Sequence, residues 1–177
     1  MSRLRPYQKE AIDAVKENFA QGNNRPAIAH ATGLGKTGLI AEIPKLHGKR
    51  TLVLVHTTEL AQQAAEKISR WNKGLAVGIE MSQRYAEDHQ LVVVGSVQTL
   101  RRFGSKRLQE LNPEDFGAIV VDEFHHSTAK GYLNILSHFK LHGKDITRDR
   151  MLERGISVCW RDDTSSRRQA GKHEGPG

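Results

Sequence analysis

The feature that most constrains the fold of this chain is a glycine-rich turn at residues 31–37 (ATGLGKT), called the phosphate turn below. It follows a short apolar run and precedes a segment with helical character, so the sequence predicts strand, turn and helix in immediate succession. Gly33 and Gly35 permit backbone conformations that a side chain would block. A chain that turns in this way into a helix points successive N–H groups at one place, where the helix N-terminus favours an anion.

The residue types in the phosphate turn predict a triphosphate as that anion. Lys36 would meet the β- and γ-phosphates, and the Thr37 hydroxyl would ligate Mg²⁺. The full pattern G-x-x-x-x-G-K-[ST] has glycine where this chain has His30. The alternative is a structural turn that carries Lys36 and Thr37 by chance, which the strand–turn–helix context disfavours. The candidate nucleotide-binding residues of the turn are Thr32, Gly33, Leu34, Gly35, Lys36 and Thr37.

A second feature is the apolar run at residues 117–122 (GAIVVD), which ends in Asp122 and is followed directly by Glu123. Asp122 would hold magnesium directly or through water, and Glu123 would orient and deprotonate an attacking water. The alternative is an acidic cap of the next helix. With Lys36 and Thr37 upstream, the two segments together predict a nucleoside triphosphatase core. Its candidate catalytic residues are Glu123, Lys36 and Asp122, and its candidate metal ligands are Thr37 and Asp122.

Predicted strands alternate with predicted helices along the chain, which is typical of an α/β fold with a mainly parallel sheet and helices on both faces. Such sheets bind ligands beyond the carboxyl ends of their strands. The predicted strands are residues 26–31, 51–56, 75–80, 90–95 and 117–122. The predicted helices are residues 6–20, 36–46, 59–71 and 130–140, with a mixture of helix and turn over 96–111.

The sequence character changes near residue 141. Residues 1–140 are predicted to form one domain, and the charged, Gly-, Pro- and Ser-containing residues 141–177 an irregular or disordered, poorly packed tail in which only 156–160 suit a strand. The formal charge of +7 favours a polyanionic partner, although a merely soluble basic surface has the same balance. One cysteine, an N-terminus without an apolar core and no apolar run long enough for a bilayer predict a cytoplasmic protein with no membrane contact.

Several ordered motifs together resemble a known family. Residues 122–125 (DEFH) resemble the DExH box of superfamily 2 helicases, especially the branch that shares the nucleotide-binding domain of type III restriction enzyme subunits. Residues 4–8 (LRPYQ) resemble the adenine-reading segment of that branch, and the phosphate turn resembles its phosphate loop. Residues 56–61 (HTTELA) and 94–100 (VGSVQTL) resemble its two nucleic-acid-contacting motifs. The resemblance covers roughly residues 3–140.

The resemblance implies a RecA-like P-loop domain, the first of two motor domains, that uses ATP and Mg²⁺ and binds DNA or RNA. Arg5 and Gln8 would face the adenine, and His125 would relay the nucleotide state to the nucleic acid. Zinc is a disfavoured role for His125 and its neighbour His126, whose spacing lacks a zinc pattern. The implied nucleic-acid contacts are Thr57, Thr58, Ser96, Gln98 and Thr99. Each of these is also an ordinary helix cap or turn residue. The basic residues Arg101, Arg102, Lys106 and Arg107 would track a strand or form a solvated charged face.

Two departures from the family pattern limit the expected activity. No S/T-A-T-P-like motif follows residues 130–140, and a second motor domain, which supplies arginines to the γ-phosphate, is not in the sequence. We therefore expect a truncated first motor domain, compatible with a frameshift, that hydrolyses ATP slowly and requires a second domain or companion subunit to unwind duplexes. The alternatives are a nucleic-acid-binding module with a vestigial ATP site, another P-loop ATPase, and a pseudogene product.

Overall fold

A computed structural model describes residues 4–21, 27–29, 35–81, 83–101, 105–122, 130–139 and 155–160. The helices are α1 (Pro6–Ala20), α2 (Lys36–His47), α3 (Thr58–Trp71), α4 (Val97–Leu100), α5 (Lys106–Glu110) and α6 (Lys130–His138), with a 3-10 turn at Pro113–Asp115. The strands are β1 (Ala27–Ala29), β2 (Arg50–Val55), β3 (Val77–Glu80), β4 (Val92–Ser96), β5 (Phe116–Asp122) and β6 (Gly155–Trp160). None of the helices within these ranges is long and apolar enough to cross a membrane.

The strands form one sheet in the order β1-β6-β5-β2-β4-β3. Strands β5, β2, β4 and β3 are mutually parallel, which confirms the predicted α/β fold with a mainly parallel sheet. Strand β6 forms from the one run in the tail that suited a strand, and it pairs antiparallel with both β1 and β5. Neither the antiparallel direction of β6 nor its position between β1 and β5 was predicted from the sequence. The domain boundary at residue 140 lies outside the described residues and stays a prediction.

The parallel strands β2, β4 and β5 are buried on both faces, as their continuous Val, Leu and Ile runs predict. Successive residues of a strand point to opposite faces. Val53 and Val55 pack in a core cluster with side chains of α1, α2 and α3. Leu52 and Leu54 pack in a second cluster with side chains of α4, α5 and α6. The helices therefore cover both faces of the sheet, as predicted.

The carboxyl ends of the parallel strands lie in a row, called the carboxyl edge below. Val55 of β2 pairs with Ser96 of β4, Leu54 pairs with the residue before Asp122, and Glu80 of β3 pairs with Gly95. Neighbouring strands are about 4.8 Å apart, so the row from Asp122 to Glu80 spans about 15 Å. Strand β1 runs in the same direction as β5, since both are antiparallel to β6, and it also ends at this edge.

Candidate functional site

Lys36, in the described part of the phosphate turn, and Asp122, at the end of β5, meet at the carboxyl edge. Helix α2 begins at Lys36 and strand β5 ends at Asp122. The Lys36 Nζ and Asp122 Oδ1 atoms are 3.5 Å apart, and the two side chains are 14% and 31% exposed. Each partly buried charge therefore lies next to an opposite charge, which offsets part of the cost of removing it from water. The two segments that predicted a nucleoside triphosphatase core are neighbours in the fold.

Gly35 adopts the left-handed conformation that the phosphate turn was predicted to need. Its φ is 77° and its ψ 39°, at the residue before α2. Its carbonyl oxygen accepts hydrogen bonds from the Gly38 N–H at 3.0 Å and from Nε2 of Gln8 at 2.9 Å. A Cβ atom on Gly35 would lie only 2.6 Å from that Nε2 atom. Glycine is thus required here for both backbone conformation and space.

Gln8 links the N-terminal helix to the phosphate turn. Gln8 is 1% exposed. Its Oε1 atom accepts a hydrogen bond from the Arg5 backbone N–H at 2.8 Å, and its Nε2 atom donates to the Gly35 carbonyl oxygen. The Arg5 side chain is exposed and donates to the Tyr7 hydroxyl at 3.4 Å. The link from Gln8 to Gly35 was not predicted from the sequence. That Arg5 and Gln8 face adenine stays a prediction.

The first turn of α2 is packed against the aromatic side chain of Trp71. A Cβ atom on Gly38 would lie 2.6 Å from the indole of Trp71, at the end of α3. The absence of a side chain at Gly38 therefore lets α3 approach the turn of α2 that carries Lys36 and Thr37. Thr37 itself is half-buried in that turn. The glycine that directly follows Lys36 and Thr37 was the sequence feature that could have indicated this close packing of α3 against α2.

The remaining predicted nucleotide-site residues, Thr32, Gly33, Leu34, Glu123 and His125, lie outside the described residues. Within the described ranges, no group of three or more His, Cys, Asp or Glu side chains is placed to hold a metal. His138 contacts the Leu111 carbonyl oxygen through Nε2 at 2.8 Å. Since a carbonyl only accepts, Nε2 carries the proton in this hydrogen bond.

The predicted nucleic-acid contacts lie at helix starts on the carboxyl edge, and two of them, Thr57 and Ser96, cap those helices. The Thr57 hydroxyl accepts the Leu60 N–H at 3.3 Å at the start of α3. The Ser96 hydroxyl accepts the Thr99 N–H at 3.3 Å at the start of α4 and lies 2.8 Å from the Thr99 hydroxyl. Thr58 is half-buried and Gln98 is exposed. Capping is thus observed, and nucleic-acid contact remains a prediction for all five residues.

A carboxylate that was not among the predicted site residues, Glu59, lies at the start of α3. Hydrogen bonds from its own backbone N–H, then from the Thr57 and Thr58 hydroxyls, lower the pKa of the exposed Glu59 carboxyl. The Thr58 hydroxyl donates to Glu59 Oε1 at 3.2 Å. A negative charge is favourable at a helix N-terminus. Glu59 therefore occupies the place at which a phosphate group would also be stabilised.

Comparison with known proteins identifies the family. The sequence matches the family described as type III restriction enzyme, res subunit, over residues 1–143. The chain belongs to this family. It is the first motor domain of a superfamily 2 helicase, as the resemblance of its motifs predicted.

Individual relatives agree with this assignment. The chain is 36% identical over 143 residues to a protein of Schizosaccharomyces pombe named as a mitochondrial ATP-dependent helicase, irc3; the match covers 77% of this chain and 23% of that protein. It is 38% identical over 148 residues to the ATP-dependent helicase IRC3 of Saccharomyces cerevisiae; this match covers 77% of this chain and 21% of that protein. The EcoKI type I restriction endonuclease subunit of Escherichia coli is 30% identical over 141 residues; this match covers 73% of this chain and 12% of that protein. The chain thus matches less than a quarter of the length of each.

Proposed function

We propose that this motor domain binds ATP with Mg²⁺ at the carboxyl edge and, when completed by a second motor domain, couples ATP hydrolysis to movement on nucleic acid. The observation that carries the proposal is the 3.5 Å separation between Lys36 Nζ and Asp122 Oδ1. A lysine at the start of a helix supplies charge for phosphates, and an acid at the neighbouring strand end supplies a ligand for the accompanying cation. The relatives named as ATP-dependent helicases support the same assignment.

In this proposal the ion pair between Lys36 and Asp122 is exchanged on nucleotide binding. The Lys36 ammonium would turn to the phosphate oxygens, and Asp122 and Thr37 would hold Mg²⁺, whose role is to neutralise charge on the phosphates. Before binding, the pair keeps both partly buried charges compensated. The backbone N–H groups of residues 32–36 would complete the cradle. Arg5 and Gln8 would approach the adenine, and the Gln8 bond to Gly35 would connect the base side with the phosphate turn.

Glu123 follows Asp122 directly and is the proposed general base for hydrolysis. A water oxygen would attack the γ-phosphorus while the bond from that phosphorus to the bridging oxygen breaks, giving ADP and phosphate. The water proton would pass to the Glu123 carboxylate. His125, two residues further on, is proposed to report the state of this site to bound nucleic acid. In our proposal turnover stays slow until a second motor domain supplies arginine to the γ-phosphate.

We propose DNA as the polyanion that crosses the carboxyl edge, with RNA as the alternative. The hydroxyl and amide groups of Thr57, Thr58, Ser96, Gln98 and Thr99 suit sugar–phosphate contacts that carry no sequence information. The formal charge of +7 favours such a partner. The relatives named as a restriction endonuclease subunit and as helicases also favour nucleic acid. We further propose a domain end near residue 140 and the cytoplasm as compartment.

The test is ATP binding and hydrolysis measured with and without single-stranded DNA, and again with RNA of the same length. We expect DNA to raise the residual turnover. Gln98→Ala should weaken DNA binding without changing ATP affinity, because Gln98 is exposed and does not cap a helix. Gln21→Ala, at the other end of α1 from the site, is the matched control. DNA affinity that is indifferent to ATP, with no hydrolysis, would favour the alternative of a binding module with a vestigial ATP site.

A further inference from the structure

A buried acid lies at the far end of the carboxyl edge. Glu80, the last residue of β3, is 3% exposed. A buried carboxylate is stable only when it is paired. Here one oxygen pairs with the Arg107 guanidinium of α5, and the other accepts the Ala86 N–H at 2.9 Å. Glu80 therefore fastens the segment after β3 to α5.

The same guanidinium supports an aromatic ring. Arg107 Nη1 also donates to the Arg84 carbonyl oxygen at 2.7 Å, and the guanidinium carbon lies 3.6 Å from the centroid of the Tyr85 ring. A guanidinium stacks well on an aromatic face. Yet Tyr85 is 63% exposed, whereas Arg107 is mostly buried. The ring is thus backed by a fixed cation and turned towards solvent. Arg107 is not part of a freely solvated basic face.

Hydrogen bonds attach Arg84, the residue before Tyr85, to Met81 and to the proposed nucleic-acid interface. The backbones of Met81 and Arg84 exchange hydrogen bonds of 3.2 and 2.8 Å. The Arg84 side chain donates to Gln62 of α3 at 2.6 Å, in the helix whose N-cap is Thr57. Because Glu80 pairs with Gly95, the residue before Ser96, Tyr85 follows the strand that neighbours the start of α4.

We infer that Tyr85, backed by Arg107, is a stacking platform for one unpaired base of the single-stranded nucleic acid that crosses the carboxyl edge. The inference deepens the proposed function and rests on it. Every base has a flat face that stacks on an aromatic ring, so such a contact tolerates any sequence. A ring that is already fixed loses little conformational entropy when a base binds. The chain's net positive charge matches a polyanionic occupant.

The competing explanation is that Tyr85 only shields the pair of Glu80 and Arg107 from water. Two substitutions separate the explanations. Tyr85→Phe keeps the ring, while Tyr85→Leu keeps an apolar cover over Arg107 but removes the aromatic face. Leu91→Ala is the matched control, since Leu91 is also an exposed hydrophobic residue but precedes β4 at the opposite edge of the sheet.

The experiment titrates the full chain into a fluorescently labelled oligo-dT and into an oligonucleotide carrying 2-aminopurine, with ATP affinity measured in parallel. We expect Tyr85→Leu to weaken oligonucleotide binding at least about fivefold, and Tyr85→Phe and Leu91→Ala to change it less than about twofold. The salt dependence of Tyr85→Leu should match that of the wild type, because no charge is lost. The 2-aminopurine emission should be quenched by wild type and Tyr85→Phe, and less by Tyr85→Leu.

The outcomes separate the inference from the function on which it rests. If Tyr85→Leu binds oligonucleotide like wild type while Gln98→Ala binds weakly, the platform is refuted and the proposed interface stands. If the wild type binds ATP but no oligonucleotide, both the platform and the nucleic-acid half of the proposed function are refuted. If Tyr85→Leu and Tyr85→Phe lose affinity equally, the ring is not the contact, and the inference is again refuted.

Discussion

The ion pair between Lys36 and Asp122 yields a quantitative prediction about the protein without nucleotide. At 3.5 Å the Coulomb attraction is about 1 kcal/mol in bulk water and about 5 kcal/mol at an effective dielectric constant near 20. The side chains are 14% and 31% exposed, so the pair lies between these limits. After the cost of desolvation, we expect a net coupling of about 1–2 kcal/mol.

Substitutions of Asp122 and of Lys36 should lower the free energy of unfolding by different amounts, because Lys36 is the more buried partner. Asp122→Asn deprives a mostly buried ammonium of this carboxylate and should lower the free energy of unfolding by about 1–3 kcal/mol. Lys36→Met keeps the apolar stem in place and leaves a carboxylate that water still reaches, so it should cost less than about 1 kcal/mol.

The assay is urea unfolding of the wild type, both single variants and the double variant at one salt concentration, which forms a double-mutant cycle. A coupling below about 0.3 kcal/mol would be within the additivity of independent sites and would refute the pairing. Greater destabilisation by Lys36→Met than by Asp122→Asn would refute the burial argument.

Three further predictions concern the site and its surroundings. Gly35→Ala should destabilise the protein by about 2 kcal/mol and weaken ATP binding, because φ is 77° and the new Cβ would displace the Gln8 amide; unchanged thermal unfolding would contradict this. Glu59→Gln should strengthen oligonucleotide binding about two- to fivefold at low salt, since it removes a negative charge from the start of α3, and weaker binding would show that Glu59 assists the interface. Glu123→Gln should retain ATP affinity but abolish residual hydrolysis in a phosphate-release assay; a variant that still turns over would remove Glu123 as the base.

The element order could be predicted from sequence because the buried strands are continuous apolar runs and the helices carry periodic apolar faces. Helix α1 begins and ends where Pro6 and the polar residues after Ala20 predict. The place of β6 could not be predicted, because strand pairing depends on which edges are available in the folded sheet rather than on local pattern. Its run of six residues suits a strand of either direction.

The proximity of Lys36 and Asp122 was predictable from a topological rule, since ligands of such sheets bind beyond the carboxyl ends of the strands. The contacts around them were not. Gln8 and Gly35, Gly38 and Trp71, and Glu80 and Arg107 are each distant in sequence and meet only after the helices pack. Charge alone placed Arg107 on a basic face, whereas a buried acid from another element determines its position.

The central claim is that Lys36 and Asp122 hold a magnesium-bound triphosphate between them, and a titration of a fluorescent ATP analogue with and without Mg²⁺ tests it most directly. Lys36→Ala should weaken binding at least about tenfold, the loss expected for one charge-assisted contact, and chelation of Mg²⁺ should weaken the wild type. Lys45→Ala, on the same helix but exposed and paired with Glu42, should bind within about twofold of wild type. Equal affinity of wild type and Lys36→Ala for the magnesium-bound nucleotide would contradict the account.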